Sequence, residues 1–142
     1  MNKIIVFILL IYSSNIYSQK FITRDAEISF FSEAPIEDIS AKNSKVSAVY
    51  DLKTNQLVFQ LNISDFIFPK PLMQEHFNEN YLESDIYPRS IFTGKIIIQD
   101  KESATVIGNL TIHGKTNEIK LEGMLKKEKE LVNILVEFTV KL

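Results

Sequence analysis

The 142-residue sequence contains no cysteine, no tryptophan and only four glycines. Without cysteine there is no thiol catalysis, no iron–sulfur cluster and no zinc–thiolate centre, and the fold holds together without disulfides. The glycines are too few and too scattered to build a phosphate-cradling loop, and no serine stands in a G-x-S-x-G elbow. Lys and Arg number 16 against 18 Asp and Glu, for a net charge of −2, and they form no cluster. Nucleic acid demands a basic stripe, so it is not an expected partner. No apolar run reaches the roughly 20 residues that a membrane-spanning helix needs.

What is present begins at the N-terminus. Lys3 precedes an apolar run, Ile4 to Ile11, which gives way to Ser13, Ser14 and Asn15 and then to Ile16-Tyr17-Ser18. A short positive start, a compact apolar stretch and a small residue at the cut are the layout of a secretory signal peptide. The sequence therefore predicts a signal peptide over residues 1–18, cleaved before Gln19; the competing reading of the run is a buried strand or the start of a helix. No cysteine follows it to carry a lipid anchor. Residues 19–142 make one domain, one charge unit more negative once Lys3 is gone. The expected location is periplasmic or secreted, with no membrane-spanning segment after cleavage.

Within this domain apolar residues recur every second position, the period of strands with one buried face. Leu57, Phe59, Leu61 and Ile63 form one such set, and Val106, Gly108, Leu110 and Ile112 another. Ile119, Leu121 and Gly123 make a third, and Ile134, Val136, Phe138 and Val140 a fourth. Ser90 to Asp100 is apolar at both parities, which predicts a strand covered on both sides. Phe21 to Phe31 is a weaker strand. Short polar links at 52–56, 100–103, 114–117 and 126–130 suit hairpins, so the expected class is all-β, an antiparallel meander closed or nearly so. Two segments break the pattern. Ile36 to Ser44 reads as mixed, with room for one helical turn. Pro71 to Ser84 reads as the main helix, with proline at its first position and Met73, Phe77 and Tyr81 in one stripe.

Chemistry-bearing residues are sparse. His76 has Glu75 beside it and Glu79 three positions on, a pair rather than a converging ligand set, and the other histidine, His113, ends a strand. A solvated helix face and a strand-end histidine account for both. The aspartates fall at strand ends and loops, where turn formation explains them. Asn62-Ile63-Ser64 and Asn109-Leu110-Thr111 match a glycosylation sequon, but both fall inside or at the end of strands, so the match carries little meaning. No catalytic, metal or cofactor site emerges. The conspicuous surplus is ten phenylalanines. In a small barrel the inward face either packs solid or encloses a cavity. A cavity would hold a hydrocarbon by burial alone, at about 0.8 kcal/mol per methylene before ordering costs.

Four stretches carry a family resemblance: 31–39 (FSEAPIEDI), 73–84 (MQEHFNENYLES), 87–94 (YPRSIFTG) and 108–116 (GNLTIHGKT). Together they resemble the YceI-like family of lipid- and polyisoprenoid-binding proteins, in a form similar to the branch common in Bacteroidetes. The resemblance implies an extended, lipocalin-like antiparallel β-barrel with its helix near one end, and a polyisoprenoid or other lipid held in an apolar interior. No ligand set transfers residue by residue. By position, Phe66, Phe68, Met73, Phe77, Tyr81 and Phe92 are expected to line the interior. Family members usually continue past the strand matching Glu137 to Leu142 through a further hairpin. The resemblance therefore implies one of three things: a fragment, a family member truncated at its C-terminus with a barrel incomplete at that edge, or a missing edge that a partner supplies. A homodimer is compatible with this reading.

The leading expectation is thus an exported, non-enzymatic binding protein for an apolar or amphiphilic ligand. The alternatives are a structural or interaction module with a solid barrel core, and a small hydrolase or isomerase using His76 and Glu79.

Overall fold

The computed structural model describes residues 4–13, 15–17, 20–32, 39–128 and 131–141. The strands are β1 (Ile4–Ser13), β2 (Asn15–Tyr17), β3 (Lys20–Ser32), β4 (Ile39–Asp51), β5 (Gln56–Asn62), β6 (Arg89–Asp100), β7 (Ser103–Ile112), β8 (Lys115–Glu128) and β9 (Leu131–Lys141). Each pairs antiparallel with its sequence neighbour from β2 to β9, and β1 pairs with both β9 and β3. β1 and β2 lie end to end along β3 in one register, with Val6 opposite Phe31 and Ile16 opposite Phe21. The nine strands therefore fill eight positions of a closed antiparallel barrel. This is the all-β, lipocalin-like barrel with one short helix that the sequence predicts.

Alternation sets the faces. Leu57, Phe59 and Leu61 point inward from β5, as do Val106, Leu110 and Ile112 from β7 and Val132, Ile134, Val136 and Phe138 from β9. These side chains join one continuous apolar core. Turn chemistry sets the corners. Ile112 pairs with Lys115, and the two residues between them, His113 and Gly114, both take positive φ (51° and 72°). That is the two-residue turn whose twist matches a hairpin, and it makes the link shorter than the 114–117 stretch expected.

Three expectations are corrected. Ser90 to Asp100 is not covered on both sides. Ser90, Phe92 and Ile96 are buried, while Ile91 and Ile97 are exposed on the outer wall, Ile97 beside a register shift between Ile96 and Ile98. Apolar residues at both parities misled the reading, since exposed isoleucines also suit a strand's backbone. The mixed segment 36–44 contains no helical turn in its described part, because Ile39 onward is β4; residues 36–38 lie outside the described residues. And β9 is not an open edge. The run Ile4–Ser13 pairs with it from Ile4–Lys141 to Ser13–Val132. The unbroken apolar run that a signal peptide and a buried strand can share makes this possible in the uncleaved chain: Ile5, Phe7, Leu9 and Ile11 are all buried inward.

Candidate ligand-binding site

The link between β5 and β6 folds over the barrel end at which β3 meets β4 through Phe30 and Ala41. It begins with a tight turn, Ile63–Asp65, and includes α1 (Pro71–His76), which continues into a wider π-type turn, Phe77–Tyr81. Pro71 starts the helix where its missing N–H costs nothing. Several hydrogen bonds seat the segment. Ile67 and Lys42 exchange backbone bonds of 2.8 and 3.1 Å, Ile63 N–H donates to Pro88 O at 2.8 Å, and Phe68 N–H donates to Gln74 Oε1 at 3.2 Å. At the far side Glu83 Oε1 lies 2.8 Å from His113 Nε2, and the Tyr87 ring stands edge-on to His113 at 5.2 Å. The cap is thus fastened to the β7–β8 turn.

Under the cap sits a cluster of rings. Phe77 stacks on Phe30 at 5.2 Å and touches Phe66 and Phe68 at 5.7 and 4.9 Å. Phe30 also meets Phe66, Phe68 and Phe7. A second line of rings leads inward: Phe7 stacks on Phe138 at 5.2 Å, Phe138 meets Phe59 at 6.2 Å, and Phe59 stacks on Phe92 at 5.0 Å. Phe92 has room because Gly94 and Gly108 face each other across β6 and β7, and its ring lies over both. Offset and edge-on ring pairs of this kind add to burial itself.

Of the six expected lining residues, Phe66, Phe68, Phe77 and Phe92 are buried and belong to this connected ring system, and Met73 packs against the core. Tyr81 is 39% exposed. The reason is the π-type turn. Leu82 N–H donates to Phe77 O at 3.0 Å, five residues back, so the turn carries one residue more than an α-turn. Leu82, not Tyr81, is thereby brought inward, and it is 1% exposed. Phe7, Phe59, Phe138 and Leu82 are buried in the same interior and were not among the six expected. The alternation of β5 and β9 pointed to Phe59 and Phe138; nothing local pointed to Phe7.

The opposite barrel end is marked by Tyr50, nine positions along β4 from Ala41 and paired across from Phe21. Its hydroxyl is buried and has no hydrogen-bond partner among the described residues, and Lys127 Nζ lies 5.8 Å from its ring centre. Burial, and secondarily the carboxylate of Asp51, pushes the Tyr50 phenol above the ordinary 10.0. The polar candidates do not converge. His76 Nδ1 lies 3.0 Å from Asn80 Nδ2, and His113 engages Glu83. Among the described residues no three His, Asp or Glu side chains gather as a metal site would require. No helix among them is long and apolar enough to cross a membrane.

The chain is similar to several solved structures. A YCEI protein of Campylobacter jejuni is 18% identical, with a TM-score of 0.57 over 78% of this chain and 88% of its own. BcnA of Burkholderia cenocepacia is 10% identical, with a TM-score of 0.48 over 95% and 96%. A polyisoprenoid binding domain from Saccharophagus degradans is 8% identical, with a TM-score of 0.44 over 94% and 92%. No curated protein matches the chain. Residues 20–142, nearly the whole of the barrel, match the YceI-like domain, and the chain belongs to that family.

Proposed function

We propose that this domain binds an apolar or amphiphilic molecule, a polyisoprenoid or other lipid, inside the barrel, after export to the periplasm or the cell exterior. The observation that carries the reading is the phenylalanine cluster under the cap. Phe66, Phe68 and Phe77 come from the β5–β6 link, not from the barrel wall. Lifting that link would open an apolar channel while leaving the strand ladder intact. Phe66, Phe68, Met73, Phe77 and Phe92 are the proposed lining, and Tyr81 is placed on the rim. The buried Tyr50 hydroxyl, at the far end, is the polar atom suited to orient a headgroup, as such sites use few polar groups. The family match starts at Lys20 and leaves out the proposed leader, which supports its removal on export.

The test is mass spectrometry of an organic extract of the purified protein. A stoichiometric isoprenoid or acyl compound is expected, and Phe66→Ala with Phe77→Ala should lower its occupancy.

A second reading is favoured by a specific observation. The described interior side chains form one packed core, whereas a groove of about 370 Å³ lies on the outer wall, lined by Val6, Ile8, Phe31, Lys42, Ile67 and Pro69 among others. A solid-core interaction module would use that outer wall. A ligand-free extract, with no uptake of added lipid, would select it.

A further inference from the structure

The link that caps the barrel is not fastened evenly. Residues 63–68 are tied down by backbone: Ile67 and Lys42 exchange two hydrogen bonds, and Ile63 N–H donates to Pro88 O. Residues 69–87 differ. Their backbone hydrogen bonds among the described residues close within the segment: Gln74 N–H to Lys70 O, Leu82 to Phe77, Ser84 to Asn78, and both Ile86 and Tyr87 to Glu83. Phe68 N–H reaches Gln74 Oε1 at the near end. Pro69, Pro71 and Pro88, three of the chain's four prolines, bracket the segment. Proline carries no N–H, so movement about 69–71 strands fewer backbone donors. Phe77 and Leu82 ride on this segment, whereas Phe66 and Phe68 belong to the fixed part.

At the far end the segment meets the wall through side chains. Glu83 Oε1 lies 2.8 Å from His113 Nε2, and the Tyr87 ring stands edge-on to His113. The Tyr87 ring also lies against Gly114, where a Cβ would come within 2.6 Å of it. Both Glu83 and His113 occupy backbone positions that suit other residue types. Glu83, just past the π-type turn, has a φ of 48°, where helix ends favour Gly or Asn. His113 opens the two-residue hairpin turn at a φ of 51°, where Asn, Asp or Gly is favoured. Local preference thus gives way at both ends of one contact, the pattern expected where a contact serves function. The two side chains are 42% and 26% exposed, so the contact is weak and readily broken.

We propose that residues 69–87 are a lid latched by Glu83 and His113, which swings as a unit about 69–71 and Pro88 and sets the rate at which a ligand passes. The doorway lies between the lid and the β7–β8 turn, over the fixed Phe66 and Phe68. This rests on the reading that an apolar molecule enters the barrel, and it adds the route and the regulation.

The test exploits the absence of cysteine. Leu82→Cys places a single thiol under the lid and Ile63→Cys one in the fixed part; both parent residues are 1% exposed. With an aromatic disulfide reagent, Leu82→Cys should react at least about tenfold faster than Ile63→Cys, because the opening is local. Adding Glu83→Gly or His113→Asn supplies residues that suit the two backbone positions. Either should speed the Leu82→Cys reaction about three- to tenfold and leave that of Ile63→Cys unchanged, with the urea midpoint unchanged or higher. A lower midpoint with both thiols faster would make the contact merely structural and overturns the proposal. So does no change at either thiol. Stopped-flow uptake of cis-parinaric acid, a fluorescent long-chain amphiphile, should level off at the lid-opening rate and rise by the same factor in the latch variants. Faster labelling with unchanged uptake overturns the gate, since the probe then enters elsewhere. No uptake by the parent, beside the expected labelling, overturns the apolar-ligand reading and leaves the lid standing. If Leu82→Cys fails to fold, amide exchange over 72–87 against 63–68 in the unsubstituted protein makes the same comparison, and equal protection of the two stretches overturns the lid.

Discussion

Single atoms decide several features of this barrel. Gly108 faces Gly94 across β6 and β7, and a Cβ at Gly108 would sit 2.3 Å from Thr93 O and 2.4 Å from Gly94 Cα, both backbone atoms that cannot yield. Gly108→Ala should therefore cost about 2–3 kcal/mol through forced strand separation, seen as a lower urea midpoint. Tyr50 makes a different prediction. Its phenol holds its proton above the ordinary 10.0 in the folded state because burial disfavours the phenolate. The unfolded chain loses that proton first, so stability is full below pH 10 and falls as pH rises through the folded value. Tyr50→Phe should remove that alkaline loss. At neutral pH it should be neutral or mildly stabilising, as it deletes a buried hydroxyl lacking a partner among the described residues. Thermal melts at pH 7 and above pH 10 check both parts.

At the scale of elements, the cap over the barrel end is where sequence periodicity and structure part company. An α-helical stripe through Met73, Phe77 and Tyr81 would have buried all three. The π-type turn advances the register by one residue and turns Leu82 inward instead. Phe77→Ala should thus cost about 3–5 kcal/mol, as a ring touching Phe30, Phe66 and Phe68 is lost from a filled core. Tyr81→Ala should cost less than about 1 kcal/mol, and the contrast is read from chemical denaturation of the two variants. The fastening of the cap predicts a local effect too. His113→Ala removes the contact with Glu83 and the ring packing of Tyr87. Amide exchange in 77–88 should then quicken, while that of β7 and β8 away from the turn stays slow.

For the whole molecule, the two proposed readings differ in linkage. A ligand that enters the barrel binds only the folded state, so it raises stability by about 2.7 kcal/mol at a hundred times its dissociation constant. Titration with a polyisoprenoid or a long-chain amphiphile should raise the melting temperature in a saturable way. A solid-core module would show no such shift. The Phe66→Ala and Phe77→Ala double variant should lose the shift along with the ligand.

The class of the fold was legible in the sequence for a simple reason: one buried face gives apolar residues at every second position, and short polar links between such runs leave few topologies. Phe59 and Phe138 were placed inside by that rule alone. The quoted stretches added the family, which no periodicity could supply. What tertiary structure decided was everything that depends on a partner distant in sequence. The face that β6 turns to solvent was hidden because isoleucine suits both faces of a strand. The π-type turn was hidden because one inserted residue leaves no compositional mark. The pairing of Ile4–Ser13 with both β3 and β9 was hidden for the deepest reason. An apolar run reads the same as a leader or as a buried strand, and only strands distant in sequence could show its pairing in the uncleaved chain.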